Sequence, residues 1–100
     1  AWATASAVSP GILLWVSRYM YLDTHNKIPG LTAEAVAQAH AADLAVQGKY
    51  GVSYFRYWYD EATGKVFCLA EAPSAEAAIA VHREAHGLLA DEVTEVKEGA

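Results

Sequence analysis

A single cysteine in 100 residues leaves no possibility of an internal disulfide, so nothing in the sequence asks for an oxidising compartment. Basic residues are also scarce: seven Lys and Arg stand against twelve Asp and Glu, a net charge of -5. A field of that sign repels phosphate backbones and anionic lipid, which argues against nucleic acid and membrane surfaces as partners. The short apolar burst ILLWV at residues 12–16 falls far short of a membrane span. There is no glycine-rich phosphate loop and no nucleophile at an established spacing from a base, so the common signatures of phosphoryl and acyl transfer are missing. What remains is a chain more than half apolar, enough for one domain with one modest core. The cytoplasm is the expected setting.

Residues 1–17 have a composition of their own, small and without acid, and read as an extension outside a domain spanning 18–98. Trp2 and Trp15 in that arm are candidates to dock on a neighbour. From Tyr19 the signals alternate. YMYLDTH (19–25) has strand periodicity, with Tyr19, Tyr21, Asp23 and His25 on one side and Met20, Leu22 and Thr24 on the other. Thr32 can cap an alanine-rich helix that Gly48 stops. VSYFRYWYD (52–60) and VFCLAEA (66–72) read as a hairpin turning at Gly64. Ser74 caps a second helix running to about Gly87, and DEVTEV (91–96) suits a last strand near an edge. The order β-α-β-β-α-β predicts an α+β fold, a split βαβ with a four-stranded antiparallel sheet and both helices on one face. The uncovered face, with Tyr19 and Tyr21 as expected occupants, predicts a homodimer through that face.

Helical spacing then sorts the polar groups. On the second helix His82 and His86 fall in the apolar arc with Ala78, Ile79, Ala85 and Leu89. On the first, Asp43 lies inside the arc of Val36, Ala39, Ala42 and Val46, with His40 at its margin. Three histidines and a carboxylate are thus aimed at the layer between helices and sheet, where an unpaired carboxylate is strongly disfavoured. A divalent metal held by His40, Asp43, His82 and His86 resolves that cost; an ion pair between Asp43 and a protonated histidine resolves it too. If a metal binds neutral imidazoles, binding should weaken as pH falls through about 6 to 6.5.

Asp23 and His25, on the tyrosine side of their strand, form a possible second site at the dimer interface. Cys68 reads as a small buried hydrophobe and Glu71 as a solvated strand-end acid, while Arg56 among rings could hold an anion. The alternative function is a dimeric α/β-barrel-type enzyme holding a small organic substrate on the open face, with Tyr19, Tyr21, Asp23 and His25 around it. Because no catalytic spacing is found, enzyme activity is the less favoured expectation.

The stretches YLDTH, GLTAEAVAQAHAADL, YGVSYFRYW, GKVFCLAEAPS and VHREAHG resemble, in order and spacing over residues 18–97, a family of small bacterial proteins of ferredoxin-like fold, formerly a domain of unknown function. That family includes a nickel-binding homodimer. Other branches replace the second histidine of VHREAHG with glycine; this chain keeps both His82 and His86, which implies the metal-binding branch. The resemblance implies nickel, where ligand chemistry alone would place copper above nickel and zinc near it, and it implies a role in storage, buffering or sensing.

Overall fold

A computed structural model describes residues 17–100, so the expected arm with Trp2 and Trp15 lies outside the described residues. Strand β1 (Tyr19–His25) leads to helix α1 (Ala33–Val46), which tightens into a 3-10 turn at Gln47–Tyr50. Strands β2 (Ser53–Asp60) and β3 (Lys65–Ala72) form the hairpin, and helix α2 (Ala75–Ala85) and strand β4 (Glu92–Val96) complete the chain. Both caps form as expected. The Thr32 hydroxyl accepts from the Ala35 amide at 3.1 Å and the Ser74 hydroxyl from Ala77 at 3.2 Å, each satisfying a helix-end N–H that has no partner within the helix.

The sheet order is β2-β3-β1-β4, antiparallel throughout, so β1 and β3 are central and β4 is an edge. Central strands show which face the helices cover. Val66, Cys68, Ala70 and Ala72 of β3 are buried with Tyr21, Asp23 and His25 of β1 and Tyr54 of β2. Ala70 and Ala72, with no exposed surface, are small enough to let Ala78 and Val81 of α2 approach the sheet closely. A bulge between Tyr54 and Arg56 bends β2.

Gly64 holds the hairpin against the β1–α1 connection. Its carbonyl accepts the Ile28 amide at 2.8 Å, and its φ of +80° is one that other residues rarely adopt. A Cβ there would stand 2.9 Å from the backbone N and O of Ile28, too close for any side chain.

The helix-covered face corrects one expectation. Tyr21 is 8 % exposed and belongs to the core, and Tyr19 shares its side of β1, so neither lies on the open face. Strand parity sorts residues into two sets without saying which set the helices will cover. The open side instead carries Met20, Phe55, Trp58, Leu69 and Val96 around a shallow groove, with Arg56, Lys97 and Glu98 at the same surface.

Candidate metal centre

Four elements meet at His82. It lies on the buried arc of α2 with Ala78 and Val81, and only 2 % of it is exposed. Its Nδ1 is 2.8 Å from Oδ1 of Asp43, itself buried on α1. His86, the C-cap residue of α2, brings its Nε2 to 3.0 Å from that same oxygen. On the other side, His82 Nε2 approaches Oδ2 of Asp23 on β1 at 3.0 Å, and the Tyr54 hydroxyl of β2 donates to that oxygen at 2.5 Å. The Asp23 contact is an ion-pair approach, not an aligned hydrogen bond. Both His82 Nε2 and Asp23 Oδ1 remain buried without a hydrogen-bond partner. Aromatic stacking completes the packing: the Tyr54 ring lies 4.8 Å from that of His82, tilted by 22°.

Electrostatics follow from this geometry. Burial by itself disfavours a charged His82, but the contacts with Asp23 and Asp43 outweigh it and raise its pKa to about 11. Burial likewise disfavours a charged Asp43, yet hydrogen bonds from His82 and His86 hold its carboxyl below the usual range. His25, 5.3 Å ring to ring from His82, is pushed down by burial and then by the His82 charge. Burial, followed by the Asp23 charge, pushes the Tyr54 phenol far up, so it serves as a donor. Burial also raises the Cys68 thiol.

These shifts fix the pH response of the metal-free protein. The His82 contribution is full below its ordinary 6.5 and disappears as pH climbs from there through about 11. Asp43 contributes above the ordinary 3.8 and loses its contribution as pH falls through its depressed value. Unfolding free energy should therefore be greatest between these two ordinary values and decline steadily on the alkaline side. Urea denaturation across pH measures it, and a profile flat from neutral to alkaline pH would contradict the assignment.

The structure brings Asp43, His82 and His86 together and places the other candidates elsewhere. His40 turns aside, its ring edge-on to Tyr57 at 4.9 Å, and belongs to neither group of close ligand atoms found among the described residues. Asp23 and His25, expected at a dimer interface, sit beneath the helices, 1 % and 4 % exposed, and join the His82 cluster. The enzyme reading of the open face loses its acid and base by the same correction. Tyr54 and Cys68 were missed as cluster members. Cys68 lies directly across from Asp23 in the β1–β3 register, a neighbour relation that strand pairing would have exposed. Glu71 meets Arg18 at 3.4 Å on the surface, as its strand-end position suggested.

Two trios have ligand atoms within 4.8 Å of one another: Asp43, His82 and His86, and His25, Cys68 and His82. The 2.8 and 3.0 Å separations from Asp43 Oδ1 are hydrogen-bond lengths. A cation held by these three residues would take over from the imidazole protons the positive charge that the buried carboxylate needs. The unpaired Asp23 Oδ1 and His82 Nε2 show in addition that the cluster's polar capacity is not exhausted by protein. A cavity of about 60 Å³ reaches the cluster, bordered by His25, His40, Asp43, Cys68, His82 and His86 and otherwise walled by apolar side chains.

A split βαβ domain with imidazoles and carboxylates gathered between its helices and sheet is a small α+β protein built around a polar cluster capable of holding a cation. Residues 21–96 match the model of the family described as nickel responsive protein, SCO4226-like, and the chain belongs to that family. Among solved structures it is similar to SCO4226 from Streptomyces coelicolor A3(2), with 43 % identity, a TM-score of 0.76, and coverage of 81 % of this chain and 99 % of that one. No curated protein matches.

Proposed function

We propose that this chain binds a divalent transition metal, nickel foremost, and serves in its storage, buffering or sensing. The observation that carries the reading is one buried carboxylate oxygen, Asp43 Oδ1, within 3.0 Å of nitrogens from both His82 and His86. The description of the family as nickel responsive supports nickel over copper or zinc. Asp43, His82 and His86 would hold the ion, which would supply the positive charge that neutralises the carboxylate. Asp23 and Tyr54 would fix the His82 ring from the other side, the role outer partners commonly play for ligating histidines.

Binding has a proton cost. The His86 Nδ1 accepts the Leu88 amide at 3.1 Å, which puts the ring proton on Nε2, facing Asp43. Coordination through Nε2 moves that proton to Nδ1, so the Leu88 amide must turn away; it lies in an irregular stretch and can do so. The His86 shift releases no proton, but His82 holds its extra proton up to about 11 and must give it up to coordinate through Nδ1, so affinity should keep rising with pH above neutrality instead of levelling off near 6.5. Calorimetric titration of tag-free, metal-stripped protein with nickel at about pH 6, 7 and 8 tests this. One nickel per chain at this site with affinity increasing at each step is expected. No uptake, or equal affinity at all three, would refute it.

A homodimer through the open sheet face belongs to the same reading. Phe55 and Trp58 are 50 % and 48 % exposed there, and a sheet face with such residues is seldom left to water. Light scattering should find twice the 10.7 kDa chain mass; a monomer at all concentrations would exclude the dimer. No described helix is long and apolar enough to cross a membrane, and a cytoplasmic setting is part of the proposal.

A further inference from the structure

We infer that His25, Cys68 and His82 form a second cation site, distinct in chemistry from the Asp43 trio, that takes a thiophilic ion such as cadmium, zinc or cuprous copper. Their ligand atoms lie within 4.8 Å of one another, and all three residues are buried. His82 supplies the pointer to a ligand. It is 2 % exposed, its Nδ1 is held on Asp43, and its Nε2 makes no aligned hydrogen bond, only a 3.0 Å ion-pair approach to Asp23 Oδ2, so Nε2 is the nitrogen left to serve this trio. A second orphan, Asp23 Oδ1, lies in the same buried cluster, on the residue directly across from Cys68 in the sheet. Few buried polar atoms go unpaired in a folded protein, and two together mark a place whose polar capacity the protein does not exhaust.

The donor set selects the ion. One sulfur and two imidazole nitrogens favour soft and borderline cations, whereas the oxygen-bearing trio favours harder ones. When a divalent ion binds, the Cys68 S–H and His82 Nε2–H bonds break, sulfur and nitrogen keep the electron pairs to form their bonds to the metal, and both protons leave to solvent. Thiolate and the neighbouring Asp23 carboxylate then balance the two positive charges, where a buried ion with one negative neighbour would be left with a net charge. The cavity bordered by His25, Cys68 and His82 gives the route in. A neutral imidazole has one lone pair, so His82 serves one trio at a time and the two sites are alternatives, sorted by softness.

Cadmium chloride added to the full, metal-stripped chain under reducing conditions tests this by sulfur-to-cadmium charge-transfer absorption, which only Cys68 can produce because it is the only cysteine. One cadmium per chain with that absorption is expected. Cys68→Ser should abolish the band. His25→Gln should keep the band and weaken binding by about tenfold or more, as expected for a lost imidazole. His86→Ala should keep the band, since His86 belongs to the other trio alone. Absence of the band in the folded parent protein overturns the proposal, and so does a cadmium affinity indifferent to His25→Gln, which would leave a thiol acting by itself. Nickel titration of the same variants separates this result from the proposed nickel site: nickel affinity should fall by about 100-fold in His86→Ala and be kept in Cys68→Ser, so either site can fail while the other stands.

Discussion

Replacing His82 with alanine should destabilise the metal-free protein by about 3–5 kcal/mol, the range for removing one partner of a buried ion pair. Two carboxylates depend on this ring. Asp43 loses the 2.8 Å bond from Nδ1 and Asp23 loses its 3.0 Å ion-pair partner, at positions that are 2 % and 1 % exposed in the parent protein. The cavity left by the largest fully buried side chain adds to the cost. Small domains have only about 5–15 kcal/mol of stability in all, so the variant should sit close to the edge of folding. Urea denaturation measures the loss. The decline between the ordinary 6.5 of His82 and the ordinary 9.0 of Cys68 should vanish with it, while the loss at higher pH, where the buried Cys68 and Tyr54 ionise only on unfolding, should remain. A loss under about 1 kcal/mol would mean that the carboxylates are solvated in a way these positions do not allow.

His86→Ala should separate binding from folding. The ring is 14 % exposed and lies at the end of α2, and its removal leaves the Asp43–His82 bond in place, so stability should change by no more than about 1 kcal/mol. Nickel affinity should nevertheless fall by about 100-fold, since even the loss of an outer partner of a ligating histidine costs about 10- to 100-fold. Parallel nickel titrations and urea curves on one preparation give both numbers. Equal nickel affinity with and without His86 would remove it from the ligand set.

Much of this architecture is legible in the residues themselves. The side-chain oxygens of Thr32 and Ser74 mark helix starts, and the aromatic and β-branched run at 52–60 admits little except a strand. Asp43 and His82 are likewise placed inward by helical spacing alone, because a period of 3.6 residues relates each position to the apolar ones on its own helix. His40, at the margin of its arc, was beyond that resolution; its ring packs on Tyr57, a contact set by tertiary structure. Strands gave less. The two sides of β1 are distinguishable from the sequence, but Asp23 and His25 made their side look wet. Only the partners supplied from elsewhere, His82 from α2 and Tyr54 from β2, make burial of that carboxylate tolerable. Small side chains at Ala70 and Ala72, set against α2, are the sequence feature that marks the covered face.

An anomalous-difference map from a nickel-soaked crystal, collected at the nickel absorption edge, tests the metal site most directly. The account predicts a peak bonded to Asp43 Oδ1, His82 Nδ1 and His86 Nε2, with Asp23 still facing the far side of the His82 ring. Nickel peaks confined to other residues, with the direct contacts of Asp43 to both histidines unbroken, would contradict it and leave His82 as an imidazolium that holds two buried acids in place.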